Sequence, residues 1–185
     1  MNLEQAMKVA LANTFAFYLK THNFHWNVEG PDFVQYHKFL DDLYNEVWLA
    51  VDAIAEHIRA LDMYAPGSFQ RYSELSTIKD QTMVPRAELM FEELLHDNHQ
   101  VIESLEQAYQ LADGHLGLQN FLQDRMDIHE KHGWMIRAIG KSRHTVRSQN
   151  GERSARIVVP ALRAQDSATP SRPLRLVKHA AKRHP

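Results

Sequence analysis

The sequence predicts an all-α protein: a four-helix bundle with a short extra helix in the long connection between its second and third long helices. Three observations predict it. Apolar residues recur in steps of three and four instead of alternating, which is the helical period. Gly30-Pro31, Pro66-Gly67, Pro85 and the stretch from Asp113 to Gly117 cut residues 1–140 into four long segments. Helices of about 25 residues reach about 35–40 Å, which is bundle geometry. With 185 residues and 44% hydrophobic side chains, the chain is long enough to bury one core.

The first helix is marked by Leu3, Met7, Ala10, Phe17 and Phe24. In the second, Phe33, Tyr36, Leu40, Leu43, Val47, Val51, Ile54, Ile58 and Leu61 form a core stripe. Residues 62–84 connect it to the third, and Phe69, Tyr72, Leu75 and Ile78 suggest the short helix there. Pro85 suits a first helical position, and Ala87, Phe91, Leu94, Val101, Leu105 and Ala108 follow it. Leu118, Leu122, Met135 and Ile139 mark the last helix.

Charge divides the chain differently. Residues 1–140 carry 10 Lys+Arg against 21 Asp+Glu, and residues 141–185 carry 11 against 2. Four of the seven prolines also fall in that last stretch. We therefore expect a helical domain over residues 1–141 and a basic, disordered tail over 142–185. Zero cysteine excludes a disulfide scaffold and thiolate zinc sites. No apolar run approaches the ~18 residues of a membrane span, and the start at Met1-Asn2-Leu3-Glu4-Gln5 lacks the basic residues of a signal peptide. A soluble cytoplasmic protein with no membrane association is the expectation, nucleoid-associated if the tail binds DNA.

Twelve histidines prompt a search for a metal site. On the second helix His37, Asp41, Asp52 and Glu56 fall within one face about 100° wide, centred about 130° from the core stripe. They point away from their own bundle, alongside Tyr44, Trp48 and Ala55. Asp41 and Asp52 are about 16 Å apart along the axis, too far to share one ion. The pairs 37/56 and 41/52, however, share one midpoint, between residues 46 and 47. An antiparallel copy of the helix would set His37 and Asp41 of one chain against Glu56 and Asp52 of the other, twice, as two-fold symmetry requires. Mixed nitrogen and carboxylate ligands suit Fe(II). The bland alternative is a polar face on which four ionisable residues align by chance.

These residues also carry a resemblance. Lys20-Thr-His22-Asn-Phe-His25-Trp26-Asn27-Val-Glu-Gly30-Pro31-Asp-Phe33, followed by His37, Asp41, Asp52 and Ala55-Glu56, resembles the signature of the Dps proteins, or mini-ferritins. Asp124-Arg125-Met126-Asp127-Ile-His129-Glu130-Lys131 and Trp134-Met135 resemble that family's last helix. The resemblance covers residues 1–140. It implies a ferritin-like subunit of a hollow dodecamer that oxidises Fe(II) at two-fold interfaces, preferentially with hydrogen peroxide, and stores ferric mineral under stress. It implies His25, His37 and Asp41 as ligands from one subunit, and Asp52 and Glu56 from its partner, with iron (Fe2+/Fe3+) as the metal. Trp26 is expected to pack, or to drain stray oxidising equivalents. Two departures stand out: His57 replaces the family's usual arginine, and the stretch Asp113-Gly114-His115-Leu116-Gly117 hides the iron-entry pore.

Other motifs read as bland. Glu93-Leu-Leu-His96 has Glu-x-x-His spacing but is expected to face solvent, as are His96 and His99; His22 is expected on the helix surface, with a supporting role behind His25 as the alternative. His129-Glu-Lys-His132 is one residue short of a zinc-protease motif. In the tail, Arg143, Arg147, Arg153, Arg156, Arg163, Arg172, Arg175, Lys178, Lys182 and Arg183 suit DNA phosphates, with a solvated tail or a sequence scar as the alternatives. Four function classes follow: a ferroxidase and iron-storage cage, a DNA-condensing structural protein with little ferroxidase activity, a di-iron oxidase with its site inside one subunit, and a helical assembly without metal chemistry.

Overall fold

A computed structural model describes the backbone of residues 1–154 and the side chains of residues 1–141. Five helices follow in order: α1 (Leu3–Asn27), α2 (Phe33–Ala60), α3 (Phe69–Leu75), α4 (Ala87–Leu111) and α5 (Leu116–Ser154). Four are long and α3 is the short helix expected in the connection. Asn2 caps α1, its side chain accepting from the Gln5 amide at 2.9 Å. The α1–α2 turn needs Gly30, whose φ of +113° excludes other residues, and the α4–α5 turn uses Gly114 at +81°. Pro85 stands two residues before the first helical position expected for it: Arg86 is the N-cap of α4 and Ala87 its first helical residue.

α1 lies against α2 and α4, α4 against α5, and α3 against α1; α5 also touches α2 over a short stretch. The core between them is Met7, Leu11, Phe17 and Phe24 from α1, with Leu40, Ile54 and Ile58 from α2. Met90, Leu94 and Leu105 join from α4, and Leu122 and Ile136 from α5. The long connection is pinned by one buried amide. Asn13 Oδ1 accepts from the Thr77 amide (2.8 Å) and the Ser76 hydroxyl (3.0 Å), while its Nδ2 donates to the Gln100 carbonyl (3.4 Å).

Three expectations change. Phe33, at the first position of α2, is exposed because the helix has only begun there. On α5, Ile136 is buried and Met135 half-buried, reversing the expected emphasis. The buried face runs Leu118, Leu122, Arg125, His129, His132, Ile136, a perfect three–four spacing half made of polar residues. Finally, α5 continues to Ser154, past the boundary expected at 141. No proline lies between Pro85 and Pro160, and Gly140 and Gly151 each cost a helix only about 1 kcal/mol. The rest of the expected tail, and the contacts of its basic side chains, lie outside the described residues. No helix among the described residues is long and apolar enough to cross a membrane.

Candidate metal centre

His25 sits in the last turn of α1 and His37 in the second turn of α2, so the tight turn at Gly30 brings them face to face. Their rings stack with centroids 3.8 Å apart, tilted by 21°. Each ring's Nδ1 lies 2.9 Å from the other residue's backbone carbonyl. A carbonyl only accepts, so both Nδ1 atoms carry a proton, which leaves Nε2 as the atom through which each ring could bind a metal. This is how a backbone carbonyl commonly orients a ligating imidazole and sets its tautomer. The same reciprocal bonds clasp the α1–α2 hairpin, so the pair has a structural role as well.

Asp41 lies one turn beyond His37. Its carboxyl is held below the usual carboxylate range, first by a hydrogen bond from the Tyr44 hydroxyl and then by the charge of Lys38, whose Nζ is 3.5 Å away. The site therefore offers two imidazole nitrogens and an anionic oxygen, a donor set that fits iron. Asp52 and Glu56 are exposed further along α2. One chain does not bring them to the histidines, and among the described residues no group of three His, Asp or Glu is close enough to hold a metal.

A shell of rings surrounds the pair. His22 stacks on Tyr44 at 3.9 Å and contacts Trp26 at 4.1 Å, and the Tyr18 hydroxyl is 3.2 Å from its Nδ1. Its pKa is lowered by burial and by His25. The expected surface histidine is thus part of the packing. Trp26, expected to bury a large area, is 61% exposed, and Trp48 on the outward face of α2 is 50% exposed. Only a further surface would cover them.

The bundle interior holds a second polar cluster that the spacing analysis passed over. Lys20 Nζ is 2.6 Å from Asp97 and 3.9 Å from Glu93, so Glu93, still about 32% exposed, turns in part towards the bundle. Burial raises the Asp97 carboxyl and Lys20 opposes it. Arg125 grips Glu46 of α2 with both terminal nitrogens. His129 is fully buried, its Nδ1 2.8 Å from Asn98 Oδ1, and His132 Nε2 lies 3.7 Å from Glu46. The acids of the interior thus face fixed cations. His96 and His99 are exposed, as expected.

Residues 4–142 match the ferritin-like domain family. General stress protein 20U of Bacillus subtilis is 32% identical over 139 residues, covering 74% of this chain and 95% of its own. DNA protection during starvation protein 2 of Bacillus anthracis is 30% identical, covering 72% and 93%. The crystal structure of the Vibrio cholerae Dps, described as a ferritin-like diiron-carboxylate protein, superposes with a TM-score of 0.71 at 28% identity, covering 74% of this chain and 87% of that one. The chain belongs to the Dps family. Among the departures of this Dps chain, His57 packs its ring on Phe121 of α5 with centroids 4.2 Å apart, so an apolar contact joins the helices there. Between α4 and α5, Gly114 forms the turn and Leu116 is exposed, which identifies no acid-lined entry.

Proposed function

We propose that this Dps chain forms two-fold pairs within a dodecameric cage, oxidises Fe(II) with hydrogen peroxide at sites shared between subunits, and stores the ferric product. His25, His37 and Asp41 of one subunit bind iron together with Asp52 and Glu56 of its partner. The observation that carries this reading is the pair of imidazoles stacked at the α1–α2 turn, each with its Nδ1 committed to the other's carbonyl. The exposed Trp48 and Leu49 on α2 support the pairing, because an antiparallel copy of α2 would cover them. The relatives' descriptions as a diiron-carboxylate protein and as DNA protection proteins point the same way.

Iron is the substrate here. Peroxide takes one electron from each of two Fe(II), both of its oxygens leave as water, and two protons are consumed, so no hydroxyl radical is released. The carboxylates favour the ferric product by their charge, and the imidazoles bind Fe(II) without adding any. In the test, Fe(II) and sub-stoichiometric peroxide are mixed anaerobically and the ferric absorbance is followed. Oxidation well above the buffer rate, without hydroxyl-radical spin adducts, is expected; a rate equal to buffer contradicts the reading.

DNA binding is assigned to the basic stretch after residue 141, since residues 1–140 alone carry a net charge of -11 and repel phosphate. Twelve copies on one cage would turn weak phosphate contacts into strong, salt-sensitive binding. Full-length protein is expected to retard duplex DNA at low salt and release it as salt rises. A chain ending at Lys141 should leave DNA free, and retardation by it would remove the assignment.

A further inference from the structure

α2 carries four of the five proposed ligands, two towards each end; α1 and α5 pack along it, and Phe91 of α4 meets its Tyr36 and Phe39 rings near the start. On the α5 side its middle is held by one group. Glu46 lies about 14–15 Å along the axis from His37 and from Glu56, close to the centre of the helix. Arg125 is 7% exposed, and its two terminal nitrogens reach the two oxygens of Glu46, one of them at 3.2 Å. Behind it the polar chain crosses the bundle. Arg125 is 3.4 Å from His129 Nε2, His129 Nδ1 is 2.8 Å from Asn98 Oδ1, and Asn98 Nδ2 donates to the His129 carbonyl at 2.9 Å. Glu46 is thereby tied through α5 to α4.

We propose that Arg125 and Glu46 are a positioning pair that fixes the roll and height of α2, and with them the ligands at both ends of the helix. The inference rests on the metal-site reading above. Arg125 is covered and Glu46 a third exposed, and for such a pair desolvation of the guanidinium offsets much of the attraction, so it is a poor source of net stability. The cost is visible: Arg125 Nε and His132 Nδ1 are buried without a hydrogen-bond partner. What a two-pronged contact supplies is geometry, because a guanidinium fork satisfies a carboxylate in one arrangement. The sensitivity is high. A roll of about 10° moves an atom about 6 Å from the helix axis by about 1 Å, whereas metal–ligand distances tolerate about 0.2 Å. Since α2 contributes to both shared sites, one slip would disturb both. His57 on Phe121 adds an apolar contact near the far end, which slides more easily than the fork.

The probe is Co(II), titrated anaerobically into the full-length assembled protein and followed by its visible absorption. Wild type, Asp52→Ala/Glu56→Ala, Glu46→Gln and Leu122→Ala are compared, the last removing buried α5 side chain without touching the pair. Glu46→Gln is expected to sediment as wild type and to bind Co(II) about tenfold more weakly, with Leu122→Ala near wild type. In turnover its KM for Fe(II) should rise more than kcat falls. Wild-type affinity in an assembled Glu46→Gln, or an equal loss in Leu122→Ala, overturns the proposal while leaving the metal site standing. Absence of Co(II) binding sensitive to Asp52 and Glu56 in wild type sinks the metal-site reading itself, and the positioning role with it. Should Glu46→Gln fail to assemble, Arg125→Lys, which keeps the charge and loses the fork, is read by the same outcomes.

Discussion

Replacing Asp52 and Glu56 together by alanine is expected to slow peroxide-driven Fe(II) oxidation by about a hundredfold or more, to the rate in buffer. Both residues are exposed on α2, outside the stripe of Leu40, Leu43, Val47, Ile54 and Ile58 that holds the helix in the bundle. Helical content and thermal midpoint should therefore stay as in wild type. What is lost is charge: with two neutral imidazoles and one carboxylate left, the developing Fe(III) has too little anionic coordination. Stopped-flow ferric absorbance beside circular dichroism separates the two effects. Oxidation at the wild-type rate would reduce the outward face of α2 to a polar helix surface.

The second large effect concerns acid. His132 is 6% exposed, and its pKa is pushed down from 6.5 to about 4, mainly by burial, with Glu46 opposing and Arg125 assisting. His129 is held well below its ordinary value by burial and by Arg125 and His132. Both stay neutral in the fold while the unfolded chain protonates below pH 6.5. Between those values the unfolded state binds more protons, so stability falls as pH drops. It is undiminished by these groups above pH 6.5 and falls progressively towards pH 4. For His132 alone the loss is about 3 kcal/mol by pH 4. Asp97, raised by burial, acts in the opposite sense, and Asp41, lowered, in the same sense at more acid pH. Urea midpoints at fixed protein concentration should drop between pH 7 and pH 4 in wild type and clearly less in His132→Phe. An equal drop in both would place the acid sensitivity elsewhere.

The helices and the outward polar face of α2 were legible in the sequence because apolar periodicity and a single helix suffice to compute both. Angles around one helix follow from residue number alone, so the outward face of His37, Asp41, Asp52 and Glu56 needs no tertiary information. The last helix was harder. Arg125, His129 and His132 occupy core positions between Leu122 and Ile136, and a hydrophobic pattern registers them as gaps. The three–four spacing of polar with apolar residues was the available signal. No pattern along the chain shows the reciprocal clasp of His25 and His37, because it depends on the turn at Gly30 folding α1 onto α2. The same holds for Lys20 with Asp97 and Glu93, which meet across two helices.

The central claim is that each iron site is divided between two subunits, and co-assembly tests it most directly. One chain carries His25→Ala/His37→Ala and the other Asp52→Ala/Glu56→Ala; each alone should be inactive. In a mixed pair, one site receives both defects, while the other combines intact histidines from one subunit with intact acids from the other. Random reassembly of equal amounts would restore about a quarter of the wild-type sites by that pairing. Fe(II) oxidation returning to about that fraction of wild type is the predicted result. Reassembled mixtures as inactive as their parents would contradict the shared site.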